Sequence, residues 1–275
     1  MQWQRMTPDD YASLQQASKI KTIKIDNIWW MEVKPYFYRP LLPWMEIEPD
    51  QVRYPLKSLI GGVQHIVPQG MKTNSHFNLF FFNDLQNYTL EGMSKNRRKQ
   101  IKKGANNFII KQMTDLNEFI ATAHKVYVAF HARTNYSYKK ERINIEGFIT
   151  WAKALFSCPG ILILGAYYQN QLSAISISYQ VDDDIIDATF FADTESLALG
   201  ISDYMVHIIR EMAAKTTAHR IFKGWATGVR GLDEFKILRG CQLVEFPAWF
   251  HINPITLYTV HLFMHNKFNK IIGSI

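Results

Sequence analysis

The sequence has no uninterrupted apolar stretch near the ~20 residues that a membrane-spanning helix needs, so no transmembrane segment is expected. Its two cysteines, Cys158 and Cys241, form neither a metal-ligand spacing nor a disulfide framework, as in proteins of reducing compartments. Neither stands in a recognisable cysteine-nucleophile signature. G-x-G-x-x-G and G-x-x-x-x-G-K-[ST] are both missing, which argues against a dinucleotide or NTP enzyme. His261 and His265 stand four apart but lack the glutamate of HExxH and a third ligand, so no metal is expected. The opening stretch MQWQRMTPDDYASL carries an early acidic pair and no apolar core. That predicts no secretory leader and a cytoplasmic protein.

What is present is ample apolar material. The 275 residues are 47% hydrophobic and 20% charged, with no low-complexity run, enough for one large or two modest domains. The net charge of +7 is partly local, because Ser94–Lys103 (SKNRRKQIKK) holds six basic residues and no acid. Such a run attracts polyanions: nucleic acid, acidic lipid or a pyrophosphate-bearing substrate. The same composition also describes a solvated helix face with long amphipathic side chains.

Along the chain, 22–26 and 28–33 read as strands, and no helical periodicity shows before about Leu85. Prolines 35, 40 and 43 break any regular ladder between them. The aromatics there, with Arg39, could wall a ligand groove or wedge into the core. A strand candidate at 59–68 contains His65, and Phe77–Phe82 suits a buried strand. Residues 83–104 read as a helix capped by Asn83 or Asp84. From 107 the pattern is cleaner: a strand, two helices, a hairpin turning at Asn170, a third strand at 185–192, and a helix after Gly200.

The passage 221–245 (IFKGWATGVRGLDEFKILRGCQLVE) is the pivot. Ile221, Lys223 and Trp225 alternate as in a half-buried strand. A turn-rich piece follows, then a short helix ending at Gly240 and another strand. Its pattern Gly231-Leu232-Asp233-Glu234-Phe235-Lys236, then Gly240, resembles the late strand–helix–strand segment of the GNAT acyltransferase superfamily. The similarity is to the branch that holds the Fem-type peptidoglycan aminoacyltransferases and polysaccharide-associated acetyltransferases. The order β-α-α-β-β-β-α-β-α-β over about 107–252 matches such a domain. Ser94-Lys95-Asn96-Arg97-Arg98, with Ile101, is similar to the Lys-x-x-Arg-x-x-Ile run that leads into the second domain of Fem-like proteins.

The resemblance implies an α+β fold: a GNAT-like, mostly antiparallel mixed sheet flanked by helices. A smaller GNAT-related part at 1–105, ending in the basic helix, would precede the acyltransferase domain at 106–275. It implies an acyl or aminoacyl group moved to an amine or hydroxyl of a cell-envelope or polysaccharide-type precursor. The donor would be acyl-CoA, acetyl-CoA included, or aminoacyl-tRNA, without a metal. The acceptor would be a small or lipid-linked molecule, with tRNA and peripheral membrane contact as further partners. A Fem-like tRNA-dependent transferase and a GNAT-fold binding protein without activity remain the alternatives.

Acyl transfer needs a proton acceptor and a cation or N–H for the developing oxyanion. By the resemblance, Lys236 supplies the cation; Glu234 or Asp187 could take the proton. Donor pyrophosphate would meet the helix start at Leu199, Gly200, Ile201 and Ser202, since helix N-termini favour anions. The family has a basic or Gln residue with two small residues there; this chain has Gly200 alone. Arg39, His65, Arg97, Arg98, Trp225 and Phe235 complete the expected substrate contacts. Charge reversal at Arg97 and Arg98 is expected to weaken ligand binding and spare stability.

Overall fold

A computed structural model describes residues 3–134 and 139–263. From the N-terminus it gives β1 (Arg5–Met6), α1 (Pro8–Ala17), β2 (Thr22–Ile25), β3 (Ile28–Lys34), β4 (Phe37–Pro40), β5 (Gly62–Ile66) and β6 (Ser75–Phe82). Next come α2 (Lys95–Asn107), β7 (Ile109–Gln112), α3 (Leu116–Thr134), α4 (Ile145–Phe156), β8 (Ile161–Tyr168), β9 (Gln171–Val181) and β10 (Asp184–Ala192). The chain ends with α5 (Thr194–Ala198), α6 (Ile201–Ala213), β11 (Arg220–Trp225), α7 (Arg230–Ile237), β12 (Gln242–Ile252) and α8 (Pro254–Phe263). It is an α+β protein with mostly antiparallel pairing. From β7 to β12 the expected element order holds, with α5 as one added short helix.

The chain forms two compact units, and they do not divide at residue 105. One comprises residues 1–7 and 80–242; the other comprises 8–79 and the chain from 243. The reason is β12, which pairs antiparallel with β5 from Ala248↔Ile66 to Ile252↔Gly62 and so joins the early strands.

In the unit with β2–β5, Trp30, Tyr38, Ile47 and Val63 make the core. Two elements here were not legible in the sequence. Helix α1 buries only Ala12, Leu14 and Gln15, too narrow a stripe to register as a period. Strand β4 forms although it ends on a proline: Pro40 lies opposite Trp30, where the ladder stops.

The other unit carries helices on both faces of β7–β11. Ile201, Met205, Val206, Ile209 and Ala213 of α6 share a core with Leu162, Leu164, Ala174, Ile185 and Ile221. On the opposite face, α3 and α4 bring Tyr127 and Trp151 against Phe191. Gln169 and Asn170 both take positive φ, as a two-residue hairpin between β8 and β9 requires. Helix α2 starts at Lys95, later than its sequence suggests, because Ser94 caps it by accepting the Arg97 N–H. Only one 3-10 turn, Leu85–Asn87, occupies the expected earlier part. No helix among the described residues is long and apolar enough to cross a membrane. His265 lies outside the described residues, as does the side chain of His261.

Candidate functional site

Strands β10 and β11 run parallel and pair only from Asp184↔Arg220 to Ile186↔Phe222. The next residues on each, Asp187 and Lys223, join through their side chains in an ion pair. Side chains two apart on a strand share a face. Asp187 therefore follows Ile185, and Lys223 follows Ile221, onto the side that packs under α6. There the β9–β10 register shifts between Asp187 and Thr189. One extra residue reverses the parity of a strand. Beyond the bulge Phe190 and Ala192, rather than Phe191, join the α6 side.

The result is a cavity of about 40 Å³ bounded by Ser176, Asp187, Phe190, Lys223 and Phe235. Its roof is Ser202, Met205, Val206 and Ile209, a single stripe of α6 at helical spacing. Asp187 is only 2% exposed along its side chain, yet its Oδ1 has no hydrogen-bond partner. The Ser176 hydroxyl is likewise buried without a partner. An unsatisfied buried polar atom costs free energy, and this cavity wall holds two.

Helix α7 closes the neighbouring edge. Asp233 fixes the preceding loop, accepting the N–H groups of Thr227 and Gly228 at 3.0 and 2.9 Å. Gly240, at φ +89, ends the helical turn as its sequence predicts. Lys236 turns inward: its Nζ donates to the Trp225 carbonyl at 2.7 Å and lies 4.5 Å over the Phe80 ring. Burial lowers its pKa, partly opposed by Asp233. Phe235 lines the cavity and is stacked by the Arg239 guanidinium, 3.4 Å from its ring centre. Glu234 takes the outer side of α7, paired with Arg230 at 2.7 Å and half exposed, away from the cavity wall.

At the expected anion cradle, Leu199, Gly200, Ile201 and Ser202, the N–H groups of Leu199 and Gly200 are bonded to the Ser196 and Leu197 carbonyls, and α2 packs against Gly200. A Cβ on Gly200 would meet the Gln100 carbonyl of α2 at 2.4 Å, and one on Gly104 would meet Tyr204 Cβ at 2.4 Å. The two glycines let α2 and the start of α6 touch backbone to backbone. Gly200, at φ +87, is also in the left-handed region.

Arg97 and Arg98 part company. Arg97 is committed to Asp203, donating to both carboxylate oxygens at 3.0 and 3.2 Å. That corrects the expectation that reversing Arg97 would spare stability. Arg98 is exposed and donates to the Glu91 carbonyl. Arg39 and His65 lie in the unit of β2–β5 and are built into its interior. Arg39 donates to Gln64 at 2.6 Å, and burial lowers its pKa to about 10. His65 is fully buried, with Nε2 on the Tyr54 hydroxyl and Nδ1 on the Ile66 carbonyl. Lys223 and Ser176 were missed, although a lysine between Ile221 and Trp225 on one strand face was a visible signal.

Cys241 is buried, and burial raises its thiol to about 12. Among the described residues, no group of three His, Cys, Asp or Glu could hold a metal ion.

Sequence comparison finds no matching family model and no matching curated protein. Structure comparison is informative. FemX superposes with a TM-score of 0.61 at 8% identity, over 92% of this chain and 93% of FemX. L-PGS from Bacillus licheniformis gives 0.59 at 10% identity, over 96% and 97%. The C-terminal DUF2156 domain assigned to a lysylphosphatidylglycerol synthetase of Agrobacterium fabrum gives 0.60 at 11% identity, over 92% of each chain. At such identities the likeness shows the fold alone: the chain has the fold shared by FemX and these lysylphosphatidylglycerol synthetase structures, in keeping with the resemblance at 94–101 and 231–240.

Proposed function

We propose that the protein is a transferase that moves an aminoacyl group from aminoacyl-tRNA to an amine or hydroxyl of a cell-envelope or polysaccharide-type acceptor. The observation that carries the choice of donor is the closure of the α6 N-terminus by α2. The backbone of α2 packs against the turn on which a coenzyme A pyrophosphate would rest, which speaks against that donor. The covering helix turns Lys95, Arg98, Lys99, Lys102 and Lys103 to solvent. Most of these fall at i, i+3, i+4 and i+7, one cationic stripe suited to a phosphate backbone. FemX and the lysylphosphatidylglycerol synthetases, whose fold this is, lend the reading its acceptor class.

In this reading the reacting groups meet near the end of β11. Asp187 is the buried carboxylate there, and Lys236 is the cation for the developing oxyanion. The test is transfer of label from a pool of radiolabelled aminoacyl-tRNAs into ribonuclease-resistant product, with extracted envelope lipids and soluble precursors as acceptors. Label appearing only with the protein, and lost as salt rises, is the expected result. Transfer from acetyl-CoA and none from aminoacyl-tRNA would overturn it.

A further inference from the structure

We propose that the 3-10 turn Leu56–Leu59 and the start of α8 form a docking surface that seats the unit of β2–β5 on an anionic lipid bilayer. The surface does not depend on the transferase reading, and all of its residues belong to this one unit.

The 3-10 turn is amphipathic the wrong way round for a surface that faces water. Residues three apart eclipse in such a turn, so Leu56 and Leu59 share one side and Pro55 and Ser58 the other. The buried side is the one with the serine. Ser58 and Pro55 are buried, whereas Leu56 is 83% exposed and Leu59 67%. Ile60 follows, also exposed. Helix α8 repeats the inversion: Ile255 and Tyr258, three apart on one face, are 77% and 64% exposed. Thr256 is half-buried instead, and its hydroxyl donates to the Ile60 carbonyl. The two segments are tied together, because Asn253 donates its side-chain N–H to the Leu59 carbonyl at 2.8 Å and its backbone N–H to the Gly61 carbonyl at 2.9 Å. Leu56, Leu59, Ile60, Ile255 and Tyr258 thus stand on adjoining backbone and turn outward. An exposed apolar patch of this kind marks a contact surface.

Charge selects the partner. No Asp or Glu occurs from 51 to 83 or from 246 to 275, the stretches that supply the patch. They contain Arg53, Lys57, Lys72, Lys267 and Lys270. Arg53 is paired with Asp26, but Lys57 is exposed on the turn between Leu56 and Leu59. The Glu32 carboxylate, which feels the Lys57 charge, is 8% exposed and is held by Lys21 and the Tyr36 N–H. A second copy of the chain is the poorer occupant. A two-fold contact is self-complementary, so it would bring both copies of Lys57 toward one axis with no acid in either stretch to answer them. An anionic bilayer meets every feature: its acyl boundary takes the aliphatic tips, its interface favours tyrosine, and its phosphates draw lysine.

The test is flotation of the full chain with vesicles of phosphatidylcholine alone, or mixed with phosphatidylglycerol or with phosphatidylserine. Binding to the two anionic mixtures is expected to agree within about threefold, and to exceed binding to phosphatidylcholine roughly tenfold or more. Leu56→Ser with Leu59→Ser, and separately Ile255→Ser with Tyr258→Ser, should each weaken binding about 10–100-fold. Both pairs should keep the parent's melting temperature, since exposed side chains support little of the fold. The basic face of α2 is the competing contact, so Arg98→Glu with Lys102→Glu should weaken binding less than either apolar pair. No flotation of the parent overturns the proposal. So does binding that survives both apolar pairs and is lost with the α2 pair, which would make the contact purely electrostatic. Flotation with phosphatidylglycerol and none with phosphatidylserine would assign a headgroup site and overturn the surface. A parent dimer in sedimentation velocity that both apolar pairs dissociate would give the patch to a second copy and reject the bilayer. Vesicle binding needs no turnover: label transfer without flotation rejects the surface alone, and flotation without label transfer rejects the transferase reading alone.

Discussion

Arg97 and Asp203 form a buried bridge between α2 and α6, with the arginine side chain 16% exposed and the aspartate 7%. Arg239, just beyond α7, holds the same carboxylate. One anion therefore ties together three of the helical segments around the site. Its loss would leave two guanidiniums without their counter-ion, and breaking a buried pair from one side typically costs ~3–5 kcal/mol. Asp203→Asn is expected to lower stability by about that much, read as a shift in the urea midpoint at unchanged slope. Arg97→Glu should do the same or worse, whereas Arg98→Glu should stay within about 0.5 kcal/mol. Equal stability for the two reversals would show that the bridge is not formed.

The basic run was legible as a cationic helix, but its two arginines have opposite fates for a reason that local sequence does not carry. Which face of α2 turns inward is set by Gly104 and Gly200 meeting across the helices, a contact between residues nearly a hundred apart. By contrast, the order of elements along the chain from β7 and the Phe235–Lys236 helix could be read from period and turn residues. Ser176 could not: a serine in an apolar strand says nothing until the bulge at Asp187 places it over a cavity. The grouping of β12 with the early strands was equally hidden, since pairing partners are not written in a strand's own sequence.

The α2–α6 contact makes its own prediction. Gly104→Ala puts a methyl where Tyr204 Cβ already stands, 2.4 Å away, with the Gly200 carbonyl at 2.9 Å. Overpacking of this kind costs ~1–3 kcal/mol. In the parent protein, acetyl-CoA is expected to leave the melting temperature unchanged, because a ligand that cannot bind the native state cannot stabilise it. A dose-dependent rise in melting temperature would mean that α2 opens and the α6 N-terminus is available after all.

Acid should destabilise the protein before the carboxylates titrate. Burial lowers the pKa of His65 below its ordinary 6.5, against the pull of its bond to the Ile66 carbonyl. Burial also lowers His207, opposed by Glu211. Between 6.5 and those lower folded values the unfolded chain binds more protons, so stability falls as pH falls through that window. The urea midpoint should decline from about pH 7 to about pH 5, and the slope should shrink in His65→Asn. A flat profile over that range, or an undiminished slope in the variant, contradicts the assignment.

Lys236 and Glu234 are two residues apart on α7 and should behave oppositely. The Glu234 carboxylate is half exposed beside Arg230 and faces no buried group, so Glu234→Gln should leave both transfer and stability within a few-fold and about 0.5 kcal/mol. Lys236 is 14% exposed along its side chain, and its ammonium is set between the Trp225 carbonyl and the Phe80 ring. Lys236→Met keeps the stem over Phe80 and removes the charge. If the ammonium stabilises the oxyanion, its loss should cost ~10²–10³ in turnover. The loss should fall on kcat rather than KM, because the charge it answers develops only in the transition state. If the ammonium only ties α7 to β11, Lys236→Met will lower the melting temperature and leave kcat of the folded fraction near that of the parent. Lys236→Arg then separates the two cases again. A guanidinium can restore the bond to the Trp225 carbonyl and the cation–π contact, but it is bulkier and its charge is spread over a plane. Recovery of stability without recovery of kcat is expected for the oxyanion role; recovery of both together would assign Lys236 to the scaffold.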